Sequence, residues 1–179
     1  GFVEACPDAP MPTLDIAALS RGASPLFADR AAVLEAGRAI GLDVDALYQT
    51  VAAIHRTADG LWLTFAPSDG LSDQSHTAFA DCAVDPAIVE AAMLAAQWLR
   101  PAQDALHLHA LHLPAGFAEM RVYPVAGRPR YAWIGANAAT HRDDALCVDI
   151  ALCADDGAVC IALTALTSMP AIVTAAPPA

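Results

Sequence analysis

Residues 84–94, which read Val-Asp-Pro-Ala-Ile-Val-Glu-Ala-Ala-Met-Leu, decide the fold that this sequence predicts. Asp85 is a favourable N-cap residue, and Pro86 suits the first helical position because its missing N–H is not needed there. From residue 86 to residue 99 the chain is apolar nearly all round. A helix of this kind is expected to be covered on most of its sides.

Strand patterns lie around this helix. The clearest are residues 147–153 and 159–166, in which apolar positions recur and which an Asp-Asp-Gly turn joins. One long apolar helix followed by antiparallel strands indicates an α+β chain in which a sheet could wrap the helix. The remaining predicted elements are a helix over 29–40 and strands over 61–65, 105–113, 119–125 and 131–136, with breaks at 114–116 and 127–129.

The length of 179 residues fits one domain with flanking linkers. Residues 1–24 contain several prolines and little periodicity, which is typical of a linker. Residues 168–179 contain Met-Pro and Pro-Pro and indicate a second linker. The predicted domain therefore spans residues 25–167.

The composition argues against several kinds of partner. The nine basic residues are all arginine and face 20 acidic residues, so the net charge is −11. Such a surface repels nucleic acid and anionic membranes. No apolar run approaches the roughly 20 residues that a membrane span needs, and the acidic N-terminus does not resemble a signal peptide. We therefore expect a cytoplasmic protein.

The pattern of residues 85–94 resembles the helix in the second half of modular polyketide synthase dehydratases, His-Pro-Ala-Leu-Leu-Asp-Ala-Ala-Leu-Gln. Asp85 stands at the family's His, Glu90 at its Asp and Leu94 at its Gln. Of the family's channel-lining Tyr-Gly-Pro-x-Phe segment, this chain keeps the final ring as Tyr48. The resemblance implies a hotdog fold, the second half of a double hotdog, with a long central helix wrapped by an antiparallel sheet.

The resemblance also implies that dehydratase chemistry is lost. In the family, the Asp of this helix is the acid partner of a His from the first half, and no His here fits the motif His-x-x-x-Gly-x-x-x-x-Pro of that half. Dehydration needs a base for the α-proton of a β-hydroxyacyl thioester and an acid for the leaving hydroxyl. Glu90 could supply the acid if burial keeps a proton on its carboxyl, but its base is missing. We expect no catalytic residue, with relics at Asp85, Glu90, Leu94 and Tyr48.

Two functions of different classes remain open. The first is a non-catalytic, structural domain of a modular polyketide synthase, a transferase-type megaenzyme of antibiotic biosynthesis. Its damaged motifs are similar to those of branching domains in rhizoxin-type modules, where a ketosynthase performs Michael addition and lactonisation. The second is a catalytic dehydratase or pyran-forming cyclase fragment that acts on a carrier-bound polyketide through Glu90. The family's His motif just upstream would favour the enzyme, and a ketosynthase ending before Gly1 would favour the structural domain.

The resemblance implies ketosynthase and acyl carrier protein domains as partners. We expect no cofactor or metal of the domain's own, since substrate would arrive on the phosphopantetheine arm of a carrier. A single hotdog leaves a sheet edge and one helix flank uncovered. We therefore expect a two-fold homodimer.

Other reactive residues have ordinary interpretations beside the functional ones. His107 and His109 share one face of a predicted strand with His112 nearby, which suits either a zinc site or, as we expect, an exposed polar strand face. Cys82 could be a nucleophile beside His76, but the flanking aspartates disfavour a thiolate.

The segment 128–133 holds Arg128, Arg130, Tyr131 and Trp133, which could contact a phosphopantetheine or carrier protein or form an ordinary turn. The five cysteines show no CxxC pair. A disulfide among those in the last two strands is conceivable, but buried reduced thiols are expected: Cys147, Cys153 and Cys160.

Overall fold

The computed structural model describes residues 10–39, 50–66, 85–99, 112–124, 128–137 and 145–171. Within these ranges the strands are β1 (Leu26–Asp29), β2 (Val51–Arg56), β3 (Gly60–Phe65), β4 (His112–Gly116), β5 (Glu119–Val122), β6 (Tyr131–Ala136), β7 (Leu146–Cys153) and β8 (Val159–Pro170). The helices are α1 (Ile16–Gly22), α2 (Arg30–Ala39) and α3 (Pro86–Ala95), and a 3₁₀ turn (Ala96–Leu99) continues α3.

The eight described strands form one antiparallel sheet. Seven of them follow the order β1-β2-β3-β6-β7-β8-β4, and β5 also pairs with β8. The long strand β8 pairs with β7 along one edge. Along its other edge β8 pairs first with β5 and then with β4. Because β8 is shared in this way, β4 and β5 lie together at one end of the sheet.

Helix α3 lies against the inner face of this sheet. It contacts β7, and the 3₁₀ turn that follows contacts β3 and β6. Ala91, Ala92, Ala95 and Trp98 are completely buried. The inner residues of the strands complete the same core: Ile54, Leu61, Leu63, Ile134, Val148, Ile150, Leu152 and Leu166. The α+β prediction, with a core helix covered by an antiparallel sheet, is confirmed.

A bulge in β8 separates its pairing with β5 from its pairing with β4. Val148 pairs with Leu166 but Ile150 pairs with Leu163, so β8 holds one residue more than β7 between these two pairs. Ala165 lies in this bulge, and its backbone is in the left-handed region with φ 51°. Its N–H donates to Asp149 Oδ1 at 2.8 Å, and that oxygen also accepts from Asn137 Nδ2 at 2.7 Å. The carboxylate thus fixes the bulge from the neighbouring strand.

The outer face of the sheet is covered by the N-terminal segment. Val159 N–H donates to Pro12 O at 3.0 Å, and Leu14 N–H donates to Gly157 O at 2.9 Å. Asp15 caps α1 by accepting from Ala18 N–H at 2.8 Å. The apolar side chains of this segment pack over the outer cluster of the sheet: Leu14, Ile16 and Leu19 over Trp62, Cys153 and Val159.

Several boundaries differ from those predicted. The described part of the predicted linker 1–24 belongs to the folded unit, because its apolar residues cover the outer face. Likewise β8 continues to Pro170, beyond the predicted boundary at 167. The predicted break at 114–116 forms the second half of β4. Among the described residues β4 pairs only with β8, and a proline is tolerated on such an edge strand. Of the strand predicted over 105–113, residues 105–111 lie outside the described ranges.

Helix α2 and strands β3, β5, β6, β7 and β8 fall where the sequence predicts them, within a few residues. Strands β1 and β2 are missed. In β2 the buried residues are three apart, Val51 and Ile54, because a bulge lies between Val51 and Ala53. That spacing hides the alternation of a regular strand. None of the described helices is long and apolar enough to cross a membrane.

We predict that Gly157→Ala destabilises the fold. Gly157 has φ +85°, and a Cβ there would lie 2.2 Å from Leu14 O, in the segment that covers the outer face. The expected loss in free energy of unfolding is about 1–3 kcal/mol, measured by urea denaturation. Gly116→Ala is the matched control, because a Cβ at Gly116 meets nothing within 4 Å. Equal effects of the two substitutions would contradict the prediction.

Candidate functional site at the N-terminal end of the core helix

Asp85 holds the N-terminal end of α3 with both of its carboxylate oxygens. Oδ1 accepts from Ala87 N–H at 2.9 Å, as expected of an N-cap. Oδ2 accepts from Arg128 Nη2 at 2.5 Å. The two side chains are 21% and 23% exposed, so the ion pair is mostly withdrawn from water. The pair ties the start of the core helix to the segment that leads into β6.

Glu90 is exposed, although the helix around it is apolar. It lies one turn after Pro86 on the same side of α3, and Pro86 is exposed as well. Within the described part of the chain its carboxylate makes no hydrogen bond or ion pair. The burial that would keep a proton on the Glu90 carboxyl for an acid role is therefore absent among the described residues.

Leu94 belongs to the hydrophobic core and is 6% exposed. At the position of the Gln in the helix that residues 85–94 resemble, this side chain packs with apolar residues. Tyr48, the other expected relic, lies outside the described residues. The structure thus brings Asp85, Glu90 and Leu94 onto one helix but assigns them three different environments.

A buried polar contact at the other end of the helix was not predicted. Gln97 is 1% exposed, and its Oε1 accepts from the backbone N–H of His112 at 3.1 Å. This bond joins the 3₁₀ turn to the first residue of β4. The Nε2 of Gln97 and the Nε1 of Trp98 are buried and have no hydrogen-bond partner among the described residues. A Gln within an otherwise apolar run was the signal in the sequence, but its partner is 15 residues away.

The predicted histidine and cysteine sites are largely outside the described residues. His107, His109, His76 and Cys82 all lie there. His112 is buried beside the 3₁₀ turn rather than on an exposed strand face. In the described ranges no group of three or more His, Cys, Asp or Glu side chains could hold a metal ion.

The three cysteines of β7 and β8 are buried, free thiols, as expected. Burial raises the pKa of the Cys153 thiol to about 12, with a smaller effect from the neighbouring Cys160. Burial also raises the pKa of Cys160. A thiol of this kind is a poor nucleophile, because the thiolate is the reactive form.

The arginine and aromatic residues near β6 serve the fold. Tyr131 stacks on Trp62 with ring centroids 5.1 Å apart and an interplanar angle of 12°. Arg130 Nε lies 3.7 Å from Asp155 Oδ1 in the turn before β8. With Arg128 bound to Asp85, both arginines already have carboxylate partners within the domain.

Comparisons with known proteins point to one family. Residues 18–176 match the family model described as the polyketide synthase dehydratase N-terminal domain. No curated protein matches the chain. The description names the N-terminal domain, whereas residues 85–94 resemble the helix of the second half, so the predicted assignment to the second half is not confirmed.

Solved structures share the fold at low sequence identity. The dehydratase domain from the CurF module of the curacin polyketide synthase has a TM-score of 0.74 and 16% identity over 91% of this chain and 54% of its own. A trans-AT dehydratase domain from Brevibacillus brevis has a TM-score of 0.71 and 17% sequence identity. That match covers 90% of this chain and 54% of the dehydratase domain. A pyran synthase domain from module nine of the sorangicin pathway has a TM-score of 0.68 and 19% sequence identity. That match covers 93% of this chain and 58% of the pyran synthase domain. The chain therefore spans little more than half of these structures.

We predict that replacing Asp85 destabilises the domain while replacing Glu90 does not. Asp85→Ala removes a helix cap and leaves Arg128 without its carboxylate, which should lower the free energy of unfolding by about 1–3 kcal/mol. Glu90→Ala, an exposed change on the same helix, should stay within about 0.5 kcal/mol. Urea denaturation followed by circular dichroism measures both. A Glu90 effect as large as that of Asp85 would contradict this assignment.

We predict that Cys153 resists alkylation in the folded protein. A pKa of about 12 against an ordinary value of 9.0 lowers the thiolate fraction at pH 8 by roughly a thousandfold. Because the folded pKa is raised, the protonated thiol favours folding below pH 9, and this contribution is lost as the pH rises towards 12. Iodoacetamide labelling at pH 8, read by peptide mass spectrometry, should modify Cys153 only after urea unfolding. Rapid labelling of Cys153 in the native protein would contradict the prediction.

Proposed function

Since the chain belongs to the polyketide synthase dehydratase N-terminal domain family, we propose that it is a non-catalytic, structural domain of a modular polyketide synthase. The observation that carries the proposal is the use of Asp85. At the position of the His in the second-half helix that residues 85–94 resemble, this carboxylate caps α3 and binds Arg128. Both of its oxygens therefore accept hydrogen bonds within the fold, which supports a structural role for this side chain.

The other two signature positions support the same proposal. Leu94 lies in the core at the position of the Gln in that second-half helix, and its side chain offers no hydrogen bond. Glu90 is exposed rather than enclosed in an apolar site. An acid–base pair needs both groups positioned on one substrate, out of water. These three positions do not form such a pair.

We further propose that the domain organises its neighbours in the megasynthase. Its partners would be ketosynthase and acyl carrier protein domains, and its module would be of the chain-branching type that uses Michael addition and lactonisation. The unit spans about half of the dehydratase structures that it matches. A second hotdog, from the same polypeptide or from another copy, would complete a dimer-like arrangement.

One observation favours the alternative, a dehydratase or pyran-forming fragment that works through Glu90. This carboxylate is exposed and makes no contact within the described residues that would prevent it from meeting a substrate. Such an enzyme would need its base from outside the described ranges. Substitution of Glu90 in a working module separates the two functions.

We predict that a reconstituted ketosynthase-containing module carrying Glu90→Ala makes product at nearly the wild-type rate. Loss of one member of an acid–base pair typically costs about 10²- to 10⁴-fold in rate. A structural domain has no such dependence, although deletion of the whole domain should damage product formation. Product is measured by mass spectrometry under single-module turnover.

The matched control is Glu35→Ala, which removes an exposed carboxylate from α2, away from the core helix. Both variants should retain the wild-type circular dichroism spectrum. A loss of two orders of magnitude for Glu90→Ala, with Glu35→Ala unaffected, would overturn the structural function. In that case the excised domain should also dehydrate a β-hydroxyacyl thioester, which we expect it not to do.

A further inference from the structure

Buried polar side chains gather where the core helix ends. Four polar residues of the described ranges are buried, and three of them lie at this end of the core: Gln97, His112 and Ser168. Gln97 belongs to the 3₁₀ turn after α3, His112 begins β4 and Ser168 lies near the end of β8. We call these three residues the buried polar cluster. A protein core tolerates such groups when they find hydrogen-bond partners.

The register of the sheet places His112 and Ser168 on its inner face. His112 pairs with Pro170, and Ser168 lies two residues before Pro170 along β8. Directly paired residues share a face of a sheet, as do residues two apart on one strand. Leu166, two residues before Ser168, is completely buried in the core. Both members of the cluster therefore lie on the side of the sheet that carries the 3₁₀ turn.

Two neighbouring side chains of this turn carry donors for which the described residues supply no acceptor. Gln97 is 1% exposed, and its Oε1 accepts from His112 N–H at 3.1 Å. Its Nε2 is buried and donates to none of the described residues. The same holds for Nε1 of Trp98, whose side chain is completely buried. A buried donor without an acceptor loses its bonds to water and gains nothing in exchange, so each of these groups requires an acceptor.

We propose that the buried polar cluster binds an internal water molecule, which accepts a hydrogen bond from Gln97 Nε2. A buried water is held by two to four polar partners. Gln97 Nε2 supplies a donor, and the Ser168 hydroxyl supplies an acceptor for one of the water's own protons. The Nε1 of Trp98, on the adjacent residue, needs an acceptor of the same kind.

The surroundings select a neutral ligand. No Asp, Glu or Arg side chain of the described ranges is buried, so an ion in the core would find no opposite charge beside it. Water needs no such charge, because it both donates and accepts hydrogen bonds. The bound water joins the 3₁₀ turn to the end of β8, beside the direct bond from the turn to β4. The inference is independent of the proposed function, since a structural and a catalytic domain would both need this contact.

Water-selective NOE and ROE spectra of the full chain, labelled with ¹⁵N, test the proposal. We expect the side-chain amide protons of Gln97 to show cross-peaks at the water frequency. Their ROE should be opposite in sign to the diagonal, as dipolar contact with a bound water requires. Exchange of the amide protons with solvent would instead give the sign of the diagonal in both spectra. Gln97→Met identifies the signals, because it removes the carboxamide and keeps a side chain of similar length.

Ser168→Ala tests the second partner of the water. The substitution removes the buried hydroxyl, and the Gln97 cross-peaks should fall to less than about half of their wild-type intensity, because the water loses one of its few partners. Ser20→Ala is the matched control, since it makes the same change at an exposed residue of α1. It should leave the cross-peaks unchanged.

A folded wild-type chain without a water cross-peak at Gln97 overturns the proposal, and the acceptor of Nε2 then comes from residues outside the described ranges. This outcome needs no variant, so it stands even if Ser168→Ala fails to fold. Cross-peaks that Ser168→Ala leaves at full intensity overturn the assignment of Ser168 as a partner of the water. Neither result bears on the turnover test of Glu90.

Discussion

Burial of helix α3 against the inner face of the sheet is the interaction on which the rest of the structure depends. Four alanines of this helix and turn are completely buried, and their small side chains allow the helix to approach the strands closely. Trp98 then fills the space beyond the last helical turn. A fully buried large apolar side chain contributes about 1.5–3 kcal/mol, more than the roughly 1 kcal/mol of a helix cap. Burial therefore drives the fold, and Asp85 determines where the helix begins.

Asp85 shows how one side chain can serve the fold at the start of a buried helix. A helix enclosed by a sheet still has free N–H groups at its start, and these need acceptors. A carboxylate at this point satisfies the helix and can also bind Arg128. Asp85 thus uses both of its oxygens for contacts within the fold. The structural function that we propose rests on this use of the side chain.

The sequence predicts those parts of the fold in which neighbours along the chain determine the structure. The apolar run of α3 and the alternation in β7 and β8 are patterns of this kind, and both appear as predicted. Strand β2 is not predicted from the sequence, because its bulge disturbs the alternation of buried and exposed residues. The cover of the outer face escapes because it depends on contacts between Leu14 and the turn at Gly157, far apart in sequence.

The candidate site shows the same division. Asp85 was recognised as a cap from its neighbours, but its second partner, Arg128, is 43 residues away. The acid role considered for Glu90 depends on burial of its carboxyl, but the side chain is exposed. Its apolar neighbours along the chain do not determine on which side of the helix it lies. The hydrogen bond between Gln97 and His112 could not be predicted from local sequence, because its partners are 15 residues apart.

The inner face of the sheet, its outer face and the end formed by β4 and β5 differ in how they are covered. The helix covers the inner face, and the N-terminal segment covers the outer face. The end formed by β4 and β5 has no such cover among the described residues, since each residue of β5 is exposed. An exposed strand edge with apolar side chains favours pairing with another strand. The bulge at Ala165 sets the direction of that edge, because it divides β8 between its two neighbours. Asp149 accepts from Ala165 N–H and thereby stabilises the point at which β8 passes from one neighbouring strand to the other.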